Sequence, residues 1–218
     1  MDARAGYRRP TLAYPEYRDE SGALIPYGER WGMGDPPDDA YSRLLHPDRY
    51  AITWTYARSI VDHLVRTFDV EVQDNVDPLH GRLPGPEPTV RAAVPGAPAA
   101  VRRLVPRGQG SPLTVIETDL PGAVMHAGAT LAAYAPHCGC DACDPSELEL
   151  AGDLEDFASA IASGTASEGV DRRGLATWIG SPDGSSEGWT PASLAERRKA
   201  RAAIDRLPAF VPWPLRGT

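Results

Sequence analysis

The three cysteines of this 218-residue chain all fall in one short loop, His137-Cys138-Gly139-Cys140-Asp141-Ala142-Cys143-Asp144, directly ahead of a helix start. Thiols at i, i+2 and i+5 meet at one point only if the backbone turns sharply, which Gly139 permits. Such a set suits Zn²⁺, which takes Cys sulfur at about 2.3 Å in a tetrahedral shell. The loop must therefore fold back on itself and then deliver the chain straight into a helix. A structural zinc site on Cys138, Cys140 and Cys143 is the expectation.

Three thiols leave one coordination position open. His126, in a predicted hairpin upstream, is the first choice for it. His137 is second, because neighbouring side chains diverge in extended backbone. His46, His63 and His80 are more distant choices. A water in the fourth position would make the metal catalytic, with a carboxylate needed as base. Asp141 and Asp144 are close in sequence, but Asp144 reads as a helix cap. Two readings without metal compete. Free cysteines often pack as small hydrophobes, although two aspartates and a glycine make this loop too polar to bury all three. Cys140 and Cys143 also form a CxxC pair outside a helix N-terminus, where the dipole favours thiolate. The aspartates oppose that effect, and a hairpin rather than a parallel βαβ unit precedes the pair.

Composition narrows the class. With 22 Pro and 21 Gly, roughly half the chain is expected outside regular structure. A net charge of −8 argues against general nucleic-acid binding and against docking on anionic lipid. No apolar run reaches the roughly 20 residues a membrane-spanning helix needs, and Met1-Asp2-Ala3-Arg4 does not open a secretion signal. Together with the odd cysteine count, this predicts a cytoplasmic protein. Ligand and oligomeric state are not legible.

Along the chain, residues 1–45 read as an extended arm rich in Tyr, Pro and Gly whose aromatics need a surface to lie on. A helix is predicted from Pro47 to Phe68, with Trp54, Ala57, Ile60, Val61, Leu64 and Phe68 on one face. Strands are predicted at Val70–Val72 and Thr89–Val94, and a flexible loop over Pro95–Gly110. Leu113–Thr118 and Ala123–His126 form a hairpin around Leu120-Pro121-Gly122. A second helix begins with Asp144 as N-cap, Pro145 at its first position and Glu147 at its third, and runs to Ser163 with Leu150, Leu154, Phe157 and Ile161 inward. Leu175–Ile179 reads as a strand, Gly180–Gly188 as a turn, and Ser193–Leu207 as a basic helix. The fold class is α+β: a mostly antiparallel sheet flanked by two main helices, with the arm before it and a C-terminal helix after it. The divisions fall at 1–45 (arm), 46–180 (core with the Cys loop) and 181–218 (C-terminal helix and tail).

Other motifs carry less. Arg30-Trp31 could line a pocket, since both residue types are enriched at recognition sites, or could seal the core. Asp62-His63 reads as a helix-surface pair. Asp38, Asp39, Asp62 and Glu71 read as solvated or capping carboxylates. Gly184-Ser185-Ser186-Glu187-Gly188 has the form of a nucleophile elbow but lacks a histidine downstream.

Several of these segments occur together elsewhere. Tyr27-Gly28-Glu29-Arg30-Trp31-Gly32, Pro36-Pro37-Asp38-Asp39-Ala40-Tyr41-Ser42-Arg43, His63-Leu64-Val65-Arg66-Thr67-Phe68-Asp69-Val70, Leu120-Pro121-Gly122 before His126-Ala127-Gly128, and the cysteine loop follow one another in this order. Over about residues 25 to 165 the chain resembles a family of actinobacterial proteins, domain of unknown function family 6226. The resemblance implies that arm and cysteine loop belong to one shared architecture, and it assigns no activity, cofactor or catalytic residue. The function expected is a binding or interaction module with a structural zinc or thiol-rich loop. The alternative is a hydrolytic or redox enzyme using the loop from Cys138 to Cys143.

Overall fold

A computed structural model describes residues 3–79, 97–181 and 184–217. The arm opens it. Ala3 is buried, and its N–H donates to Ser163 Oγ at 3.0 Å. Arg9 pairs through two nitrogens with the buried carboxylate of Glu155 at 2.7 and 2.8 Å. A two-rung hairpin, β1 (Tyr17–Arg18) and β2 (Leu24–Ile25), and a 3-10 helix (Asp38–Ser42) follow. Of the arm's aromatics, Tyr7, Tyr14 and Tyr27 pack against the core, whereas Tyr41 is exposed.

A second 3-10 helix, Pro47–Ala51, leads into α1 (Ile52–Thr67). Tyr56, Ala57, Ile60, Val61 and Leu64 are buried at the three-and-four spacing that sequence periodicity predicts. His63 is not a surface histidine. It is buried, with Nε2 2.8 Å from the Ala3 carbonyl, so the arm covers a helix face that local pattern leaves open.

Five strands then form an antiparallel meander in chain order: β3 (Val70–Asp74), β4 (Pro98–Pro106), β5 (Leu113–Thr118), β6 (Gly122–Ala127) and β7 (Leu131–Ala135). The strand predicted at Thr89–Val94 lies outside the described residues. The flexible loop predicted over Pro95–Gly110 is corrected: most of it is β4, an inner strand between β3 and β5. Its prolines stand at the strand ends rather than inside. Val101 and Leu104 are both buried, Leu104 in the core, and the adjacent Arg102 and Arg103 hide this pattern in the sequence. Arg102 bonds Asp74 across the β3–β4 ladder.

After the cysteine loop comes α2 (Glu147–Ser163). Every residue from Phe157 to Ser163 is buried, including three alanines and two serines. A helix buried on all sides needs partners on all sides. Here α2 packs on β6 and β7, on α1, and on a second antiparallel sheet of β8 (Ala166–Val170), β9 (Gly174–Ser181) and β10 (Gly184–Pro191). Small side chains let the two sheets approach it closely. The turn predicted at Gly180–Gly188 is also corrected: Gly184 to Gly188 pair residue for residue with Thr177 to Ser181. Strand β9 of that hairpin runs across residue 180, at which the sequence reading ends its core.

The last helix, α3 (Leu194–Ile204), starts on Ser193 with a capping box to Glu196 and packs on β8 and β9. The tail then returns to the first sheet. Trp213 is 2 % exposed, meets Phe68 edge-on at 5.7 Å, and donates Nε1–H to the Ser111 carbonyl at 3.0 Å. With three α-helices and three antiparallel sheets among the described residues, the fold is α+β. No helix among them is long and apolar enough to cross a membrane.

Candidate metal centre

The cysteine loop is held by the arm, almost residue by residue. Asp141 N–H donates to the Arg43 carbonyl at 2.9 Å and Ala142 N–H to the Ala40 carbonyl at 3.2 Å. In return the Asp141 side chain accepts from Leu45 N–H at 3.0 Å and lies 3.5 Å from the Arg30 guanidinium. Trp31 donates its indole N–H to the Asp141 carbonyl at 3.1 Å, and Tyr50 donates its hydroxyl to the Cys143 carbonyl at 3.0 Å. Asp144 receives the Arg30 backbone N–H at 2.8 Å and is ion-paired with Arg49. Gly28, at φ +75°, passes so near the helix start that a Cβ there would lie 2.8 Å from Ser146 Cα. Only glycine fits.

This bracing corrects the predicted helix cap. Asp144 is drawn away to Arg49 and Arg30, and α2 is capped two residues later by Ser146, whose Oγ accepts from Glu149 N–H while Glu149 returns a bond to Ser146 N–H. Both positions satisfy the capping-box spacing locally. A partner 95 residues distant decides between them.

The structure brings the three thiols together. Their Sγ atoms all lie within 4.8 Å of one another, with Cys138 and Cys140 3.2 Å apart. Around a tetrahedral zinc with Zn–S near 2.3 Å, sulfur atoms stand roughly 3.8 Å apart, so the observed span brackets what the ion requires. The donor set fits a soft divalent metal. Burial raises the Cys138 thiol, and burial with hydrogen bonding to Cys138 and Cys140 pushes Cys143 up to about 12. Burial would raise Cys140 too, but bonds from Cys138 and from the backbone N–H groups of Cys143 and Ala142 outweigh it, so its pKa falls.

Neither histidine belongs to this group of sulfur atoms. His126, the first choice for a fourth ligand, sits on β6 opposite Ala132, with Nε2 against the Pro78 carbonyl. The cysteine loop leaves from the other end of the β6–β7 hairpin, beyond the Ala123–Ala135 pair. His126, the predicted fourth ligand, thus stands outside the sulfur group, with its Nε2 turned to the Pro78 carbonyl. His137 is nearer. With Tyr134, Pro136, Cys138, Cys143 and Asp153 it lines a cleft of about 400 Å³ between the loop and α2, and its Nε2 is 2.8 Å from Asp153 Oδ2. That carboxylate, followed by desolvation in the opposite sense, raises the His137 pKa.

Arg30 and Trp31, read from the sequence as possible pocket residues, stack on each other at 4.9 Å and brace the loop instead of lining this cleft. Sequence reasoning missed Arg43, Arg49 and Tyr50. Charge complementarity between arm arginines and loop aspartates is the one signal that could have pointed to two of them. Ser186 lies exposed on β10, away from any strand-to-helix elbow.

No curated protein and no solved structure matches the chain. The sequence profile of a family does match, over residues 13–217, so it takes in the C-terminal helix and tail as well as the arm and the cysteine loop. The chain belongs to the family of unknown function DUF6226.

Proposed function

We propose that Cys138, Cys140 and Cys143 hold one zinc ion and that the protein is a binding module whose ligand enters the cleft beside it. The observation that carries this reading is three sulfur atoms gathered within 4.8 Å in a loop whose backbone is already fixed by the arm. His137 is the natural fourth ligand. Metal-bound histidines usually give their second nitrogen to a carboxylate, and Asp153 already holds Nε2, which leaves Nδ1 for the metal. Zinc so bound would tie the start of α2 to β7 and leave the ion without an open position.

Thiol chemistry is the weaker reading. The thiols that line the cleft, Cys138 and Cys143, are shifted upward, whereas the lowered one, Cys140, does not line it. A nucleophilic cysteine needs both properties at once.

The deciding experiment is metal analysis of protein purified without chelator, with thiol titration before and after metal removal. One zinc per chain, thiols that react only after chelation, and a lower Tm for the stripped protein are expected. Protein without metal and with three freely reactive thiols would overturn the proposal.

A further inference from the structure

The second sheet turns one face to α2 and the other outward. Ala166 and Ile179, opposite one another on β8 and β9, belong to the inner face: Ala166 is buried in the core and Ile179 packs against it. By alternation Trp178, Glu187 and Trp189 belong to the outer face. Glu187 pairs directly with Trp178 across the β9–β10 ladder and stands two residues from Trp189 along β10. The register therefore sets one carboxylate between two indoles. The Trp178 ring lies back over Gly180, where a Cβ would come within 2.5 Å of it. The far edge of that ring thus reaches along the strand, and Trp189 is 49 % exposed.

These side chains border an open cleft of about 550 Å³, within the range that takes a small molecule. Ser167, Gly169 and Ala176 supply its low floor. Among its described lining residues Glu187 is the acidic side chain on the outer face, and none is basic. Glu168, also at the cleft, has the inner-face parity of Ala166 and turns its carboxylate to the N–H groups of Ala129 and Thr130 and to the Thr130 hydroxyl. At the edge, the Arg173 guanidinium lies 5.6 Å from the Trp189 ring, beside Asp171. This ring already accepts a cation from its own chain.

We propose that the outer face of this sheet binds a small organic cation of the alkylammonium class, seated on Trp178 and Trp189 with its charge toward Glu187. Aromatic faces attract cations through the ring quadrupole, and the attraction grows when the ion is partly desolvated, as on a concave surface. A neutral ligand would gain the stacking but nothing from Glu187. An anion would be repelled by Glu187. The site is independent of the cysteine loop.

The test uses choline chloride as probe and 3,3-dimethylbutan-1-ol as its neutral isostere, titrated at constant ionic strength into the full-length ¹⁵N-labelled chain while the indole N–H signals are followed. Saturable shifts of the Trp178 and Trp189 signals are expected with choline, with the neutral isostere weaker by about tenfold. Trp178→Ala should abolish the response. Glu187→Gln, an exposed change that leaves the fold intact, should weaken choline severalfold without altering the isostere. Equal binding of choline and isostere, a Glu187→Gln variant that binds choline unchanged, or no saturable shift would each overturn the proposal.

Discussion

Arg49 and Asp144, 95 residues apart, form an ion pair in which neither side chain is more than 5 % exposed, and this pair ties the start of α1 to the start of α2. Removing one partner of such a pair strands a buried charge, which costs about 3 to 5 kcal/mol. Arg49→Ala and Asp144→Ala are each expected to lose stability on that scale in urea unfolding. The double variant should lose clearly less than the sum. Additive losses would mean that the two groups do not act together.

Acid should act through Glu147. Burial alone would raise its pKa, but bonds from the Tyr14 and Tyr56 hydroxyls outweigh it and lower it. A carboxyl lowered in the folded state binds fewer protons than in the unfolded chain, so its contribution is present above roughly pH 4.3 and fades as pH falls through the folded value. Thermal melts between about pH 5 and 3 should therefore fall less steeply for Glu147→Gln than for the parent protein. Parallel curves would show that Glu147 contributes nothing in acid.

Alkali should act through the tyrosines above that carboxylate. Tyr14 and Tyr56 share a bond of 2.7 Å, and Tyr56 donates to Glu147 at 2.5 Å. Burial first, then Glu147, pushes Tyr14 up to about 12 and raises Tyr56 as well. Groups raised in the fold contribute fully below their unfolded pKa of about 10 and lose that contribution as pH climbs toward the folded value. Absorbance at 295 nm should show tyrosines that titrate late, together with unfolding. Reversible titration of every tyrosine near pH 10, without unfolding, would contradict this.

Gly164 closes α2 at φ +69°, and a Cβ there would lie 2.5 Å from the backbone of Val211 and Pro212. Gly164→Ala meets an unfavourable dihedral and a rigid neighbour together. A loss above the roughly 1 kcal/mol of an ordinary left-handed site is expected by urea unfolding. A smaller loss would show that the tail moves aside at little cost.

Trp213 tests whether the tail is structural. It is buried between the first sheet and α1's end, so Trp213→Ala should cost about 3 to 5 kcal/mol. Trp213→Phe, which keeps one aromatic ring but gives up the pyrrole part of the indole and the donor to the Ser111 carbonyl, should cost less. Equal losses would show that the phenyl ring alone contributes nothing to the packing.

The helices were legible because their signals are local: apolar spacing in α1 and α2, a basic run in α3. The β5–β6 hairpin was legible from Leu120-Pro121-Gly122. β4 was not, because Arg102-Arg103 breaks its alternation and prolines mark its ends. β10 was not, because all of its residues are exposed and no apolar alternation marks them as a strand. The position of the cysteine cluster could be read directly. The groups that hold it, Arg43, Arg49 and Tyr50, were not read, since apart from opposite charge nothing near them in sequence shows that they face residues almost a hundred positions on.

Because α2 supplies core to both larger sheets, its packing gives them a shared fate. Melting the helix uncovers the inner faces of the meander and of the three-stranded sheet together, so neither is expected to survive as a separate folding unit. Calorimetry should then record one cooperative transition rather than two. A fragment that ends at the helix would carry its apolar far side into water with nothing to cover it. Division of labour between the cysteine end and the outer sheet, if both bind ligands, is thus built on a single melting unit.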